Sequence, residues 1–112
     1  MISQDALKRI VLLLDTGHFN ITVDAQNDIL KQGYNWSKDF IIDCMRNGKM
    51  FYGYELYPYD EARHTRYYCI HRLGLLSRRL ILIGFILLDD ILIIHISPLN
   101  PGSKEGRAYY LG

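Results

Sequence analysis

Residues 80–96 read LILIGFILLDDILIIHI. Asp89 and Asp90 interrupt the apolar run after nine residues, well short of the roughly 20 that a membrane-crossing helix needs. The stretch is therefore read as two strands joined by a tight turn, because short acidic residues tolerate turn backbone and stay hydrated. Leu80 to Leu88 are apolar at both odd and even positions, so this strand is greasy on both faces and must be covered on both. One sheet and a few short helices leave one face over, which implies a cover: a second copy of the chain, another protein, or the chain's own tail.

Outward from this pair, the same alternating pattern of β-branched and aromatic residues marks strands at 49–56, 64–72, 78–88 and 91–97. Their short connections imply an antiparallel order. N-terminal to them the pattern is helical. Leu7, Ile10, Val11 and Leu14 are spaced for one helix face, with Ser3 as cap and Gly17 as stop. HFNITV (18–23) reads as briefly extended, and 24–33 as a short polar helix between Asp24 and Gly33. Phe40, Ile41, Cys44 and Met45 form the apolar face of a third helix, capped at Asn35 and stopped at Asn47-Gly48. Residues 98–107 read as irregular, followed by a closing AYYLG. The expected architecture is α+β: N-terminal helices followed by a four-stranded antiparallel sheet, with the helices on one face.

At 112 residues the chain fits a single domain, 1–112, in which 1–17 is a helical extension and 19–110 the core. Net charge is +1, with 49% hydrophobic and 22% charged residues, a composition that excludes disorder. Residues 1–60 carry six Lys/Arg against eight Asp/Glu and residues 61–112 carry seven against four, so the C-terminal half is the basic one. That split permits a phosphate-facing surface without demanding it. Cys44 and Cys69 lack metal or disulfide-framework spacing and read as free buried thiols. The first seventeen residues lack the pattern of a signal peptide, and a cytoplasmic, membrane-free protein is expected.

Several short motifs occur in order. Lys31-Gln32-Gly33 is followed by Cys44-Met45-Arg46-Asn47-Gly48-Lys49, then by Ile96-Ser97 at the end of the last strand, then by Glu105 and Tyr109 in an E-x-x-x-Y arrangement. Over about residues 19–110 this series resembles the BrnT-type toxins of the RelE superfamily, and a related family of small domains that carry H-A-x-x-R-M-x-x-R-G-I. The resemblance implies a RelE-like fold and a toxin-antitoxin setting. It also implies metal-independent RNA cleavage by a general base, a cation for the phosphate and an acid for the leaving oxygen, with no cofactor. The chain departs from the pattern at Asp24 and Asp28, where the family has His and Arg. It departs again at Ile81, near a family histidine, and at Leu99, near a family arginine. By that comparison the catalytic set is degenerate.

The richest stretch for chemistry is YDEARHTRYYCIHR, 59–72, with three arginines, two histidines and three tyrosines. Alternation puts Arg66, Tyr68 and Arg72 on one face, opposite Tyr67 and Cys69. Two guanidiniums about a ring suit the phosphates and bases of single-stranded RNA; the same arginines also fit a solvated, snorkelling role. His95 is the acid–base candidate, because histidine both gives and takes a proton near neutrality, although a lone strand histidine is commonly structural. If Leu92, Ile94 and Ile96 face the helices, His95 shares the other face with Ile91 and Ile93. His64 is read as a loop residue and His71 as core or edge. Lys104, Arg107 and Tyr109 supply cations and a phenol that either fold back over the sheet or close the core as a lid. The candidate set is thus His95, Arg66 and Arg72 for catalysis and Tyr68, Lys104, Arg107 and Tyr109 for RNA contact, with no metal ligands. The competing expectation is a non-catalytic domain that forms a homodimer or docks an antitoxin-like protein through its sheet.

Overall fold

The computed structural model describes residues 2–31, 37–72 and 79–111. In chain order the described elements are α1 (Gln4–Asp15), β1 (Phe19–Ile21), α2 (Val23–Lys31), α3 (Lys38–Asn47), β2 (Lys49–Tyr59), β3 (Ala62–Arg72), β4 (Leu80–Leu87), β5 (Ile91–Pro98) and α4 (Lys104–Leu111). The class is α+β, as expected. The sheet differs from the expected four antiparallel strands. Its order is β1-β5-β4-β3-β2, and β1 lies parallel to β5 at the edge. A β5 edge left bare would expose a row of backbone donors and acceptors. The HFNITV segment supplies partners for part of that row, with Phe19, Asn20 and Ile21 opposite Ile91, Leu92 and Ile93.

Local signals account for the element ends. Ser3 accepts from the Ala6 amide at 3.2 Å to open α1, and Gly17 leaves it at φ 73°. The buried stripe of α1 is Ile10, Leu13 and Leu14, while Leu7 and Val11 stay 39% and 47% exposed, so the expected stripe is turned toward Leu13. The cap of α3 is Ser37, which accepts from the Phe40 amide at 3.2 Å; the expected cap, Asn35, lies outside the described residues. Asp60 and Glu61 have φ of 50° and 63° and close β2 onto β3 in two residues. Such left-handed pairs match the twist of a hairpin, and both strands consequently run longer than alternation alone indicated. His64, read as a loop residue, lies within β3.

The helices α1, α2 and α3 pack on one sheet face against Tyr67, Cys69, Ile81, Ile83, Phe85, Ile91, Ile93 and Ile96. The opposite face of β4 is also buried. Leu80 and Leu82 join Tyr68 and Ile70 beneath Leu99 and Tyr109, and Ile86 joins Leu92 and Ile94 beside Tyr57 and Leu88. The chain's own tail thus covers the Leu80–Leu82 part of the face that the two-sided strand left over, and Tyr57 and Leu88 flank the rest.

That cover is a helix, where the sequence reads as irregular. Asn100 and Ser103 build its start. The Ser103 hydroxyl donates to the Asn100 carbonyl at 2.6 Å and accepts from the Gly106 amide at 3.0 Å. Gly106 costs helix propensity, yet a Cβ there would lie 2.2 Å from the Asn100 carbonyl oxygen and 2.8 Å from Pro101 Cα. Close packing of α4 on the 100–101 segment, and of Tyr109 on the sheet, outweighs the propensity.

Cys44 and Cys69 are free and buried. Burial pushes the Cys69 thiol up to about 12 and the Cys44 thiol up to about 11, with the Asp43 carboxylate adding to the latter. Folded thiols therefore hold their protons where unfolded ones, near 8.5, lose them. Their contribution is complete below about pH 8.5 and is lost as the pH climbs toward about 12. Urea titrations under reductant should show a lower midpoint at about pH 10.5 than at about pH 8, and a Cys69→Ala chain should show a smaller drop. Equal drops in the two chains would count against this assignment.

Candidate active site over Gly84

A β-bulge in β5 decides where His95 points. Ile93 pairs with Phe85 and His95 with Gly84, so Ile94 is the extra residue. Before the bulge Ile91 and Ile93 face the helices. After it the parity flips, which sends Ile96 inward and His95 outward. The even-inward reading of β5 is thus wrong for Leu92 and Ile94 and right for Ile96, because bulges re-aim one half of a strand.

Tyr68, Gly84 and His95 form one row across β3, β4 and β5. A Cβ at Gly84 would meet His95 Cβ at 3.3 Å, Arg66 Nη2 at 3.5 Å and Tyr68 Cε1 at 3.6 Å. Glycine inside a strand marks a close approach, and here it opens the floor of a niche shared by three of the candidate residues. The pocket above it measures about 210 Å³ and is also lined by Ser97, Ser103 and Glu105. A pocket of about 520 Å³ at the β2–β3 and β4–β5 turns, beside Arg9, His64 and Asp89, brings fewer convergent groups together. Its Arg9 guanidinium donates to the Leu88 carbonyl.

Arg66 lies over the ring of Tyr68, 4.9 Å from Cζ to centroid, and near that of Tyr57 at 6.0 Å. Its Nε is buried without a hydrogen-bond partner, and among the described residues it makes no ion pair. The rings hold the guanidinium between them, with Nη2 the arginine atom nearest to the space over Gly84. Tyr68 is buried, and Glu105 lines the same pocket beside it. Burial first, against the opposing pull of the Arg66 guanidinium and with the nearby Glu105 carboxylate adding to it, pushes the phenol up to about 12. It stays protonated at neutral pH and is available as a donor.

His95 is held from both sides. Asp28 Oδ2 lies 3.3 Å from its Nδ1, and Ser97 Oγ lies 2.9 Å from its Nε2. Asp28 reaches it because Ala25 and Ile29 anchor α2 in the core, which leaves the intervening turn against the edge of β5. Pairing with β1 stops at Ile93, and the Ile96 amide donates to Asp28 Oδ2 at 3.3 Å. One carboxylate thereby covers a bare strand edge and orients the imidazole. A carboxylate only accepts, so Nδ1 carries a proton and Nε2 of the neutral ring keeps its lone pair.

The structure thus brings Arg66, Tyr68 and His95 together. Arg72 shares their strand face but sits six residues from Arg66, roughly 20 Å along β3, exposed and paired with Leu80 outside the pocket. Lys104 and Arg107 are exposed on α4 beside the pocket wall. Tyr109 packs on Leu80, Leu82 and Tyr68, so it acts as a lid on the sheet. Glu105 and Tyr109, four apart on α4, share the face turned to the sheet. Asp28, a departure from the family pattern, is the partner of the catalytic candidate; single-sequence reading offered no signal for that. The Gly84 niche did leave a signal, a lone glycine in an otherwise bulky strand. Among the described residues no group of three or more His, Cys, Asp or Glu side chains comes together as a metal site, and no described helix is long and apolar enough to cross a membrane. No family model, curated protein or solved structure matches the chain.

Proposed function

We propose that this is a RelE/BrnT-like domain that binds single-stranded RNA and cleaves it in the niche over Gly84. The observation that carries the reading is the meeting, around one glycine, of an imidazole beside a carboxylate and a guanidinium that makes no ion pair among the described residues. His95 Nε2 takes the proton of a ribose 2′-hydroxyl, whose oxygen then attacks the adjacent phosphorus. Arg66 binds the non-bridging oxygens and offsets the charge that builds on them. The 5′-oxygen leaves with a proton from the Tyr68 phenol, backed by Glu105, which yields a cyclic phosphate and a 5′-hydroxyl end. Lys104 and Arg107 supply flanking contacts to the backbone. The other reading, a homodimer or a complex with an antitoxin-like protein through the open sheet face, has less support, because α4 and Tyr57 already lie over β4.

The test is fluorescence anisotropy with a short single-stranded oligonucleotide at several salt concentrations. Arg66→Ala should weaken binding about 10- to 150-fold, since a charge-assisted phosphate contact contributes about 1.5–3 kcal/mol, and should lower the salt slope by roughly 0.7. Arg72→Ala, remote from the niche, should change neither by more than about twofold. A wild-type chain that neither binds nor cuts such RNA at low salt ends the reading.

A further inference from the structure

The order carboxylate, imidazole, hydroxyl that runs through Asp28, His95 and Ser97 has a use that RNA cleavage does not require. Asp28 Oδ2 lies 3.3 Å from Nδ1, and in the neutral ring with its proton on Nδ1 the Nε2 lone pair accepts from the Ser97 hydroxyl, 2.9 Å away. A serine whose proton already points at a carboxylate-oriented imidazole is an activated nucleophile, whatever fold carries it. Its placement follows from the strand. His95 and Ser97 are two apart beyond the bulge and project to the same face, opposite Gly84 and Leu82. Both line the 210 Å³ pocket with Arg66. The guanidinium across Gly84 offers N–H donors to an oxyanion that forms there, and the small volume suits a short acyl group.

We propose that Ser97 is a catalytic nucleophile toward small carboxylic esters. Ser97 Oγ bonds to the ester carbonyl carbon as its proton passes to His95 Nε2. The carbonyl carbon–oxygen bond to the alcohol then breaks, and the departing alkoxide takes the proton back from Nε2. Water attacks the acyl-Ser97 by the same route, giving its proton to Nε2, and the carboxylic acid leaves as Ser97 is restored. No oxidant or further reactant is needed.

The full chain is incubated with p-nitrophenyl acetate, and separately with a fluorophosphonate probe whose adduct is mapped by peptide mass spectrometry. The expected result is turnover of the ester above the buffer rate and an adduct on Ser97. Adduct formation should be about 100-fold slower in His95→Ala, the scale of general-base assistance, with circular dichroism confirming that the variant is folded. Ser97→Ala, which removes the nucleophile and leaves the strand intact, should carry no adduct and lose the turnover. An unmodified Ser97 in the folded wild type, an adduct only at another residue, or equal labelling in folded His95→Ala overturns the proposal. The proposal shares His95 with the RNA reading but does not rest on it. RNA cleavage without a Ser97 adduct leaves that reading and ends this one, and a Ser97 adduct without RNA cleavage does the reverse.

Discussion

Replacing His95 by alanine is expected to slow cleavage of single-stranded RNA by about 100- to 10,000-fold, the range for loss of a positioned acid–base group. Affinity for the RNA should stay within about twofold, because the proposed mechanism assigns the phosphate to Arg66 and the flanking cations rather than to the imidazole. The two readouts separate a proton-transfer residue from an anchor. Asp28→Asn refines the test. An amide can donate to Nδ1 and so leave the proton on Nε2, the wrong nitrogen for a base. It should therefore lower kcat while KM holds, whereas a merely structural Asp28 would shift stability and leave kcat alone. Cleavage by His95→Ala at the wild-type rate would exclude the imidazole from the chemistry, and a parallel collapse of binding would recast it as a contact residue.

Phe85→Ala is expected to cost about 3–5 kcal/mol of folding stability, the usual loss for a buried aromatic truncated in a core. Phe85 is fully buried on β4, the middle strand of the sheet, and stacks on Tyr67 at 5.6 Å between ring centroids. It faces the main core on the side of α1, α2 and α3, where rigid strands on either side limit collapse into the cavity. A loss of that size is a large share of the ~5–15 kcal/mol that holds a small domain folded. Val11→Ala, at an exposed position of α1, should cost less than about 1 kcal/mol. Urea unfolding of both variants checks the contrast, and near-equal midpoints would mean that the core does not centre on β4.

The hairpin of residues 80–97 could be read in the sequence because two aspartates inside an apolar run have one inexpensive solution, a solvated turn. The helices at 4–15 and 38–47 were legible from their periodicity, the first also from its Ser3 cap. The site was legible only in part. Arg66 and Tyr68 were assigned to the open face by alternation with Tyr67 and Cys69, a local property of one strand. His95 was named for its chemistry, but its direction depends on Ile94 being bulged out, and that depends on how β5 registers against β4.

The sequence by itself determined the α+β class and the run of four antiparallel strands after the first three helices, since these follow from local periodicity and turn residues. Tertiary structure alone decided the parallel placement of β1, the helical tail over β4 and the pairing of Asp28 with His95, residues 67 positions apart. Those outcomes come from satisfying bare strand edges and covering a second apolar face. Both demands exist only once distant segments have been brought together.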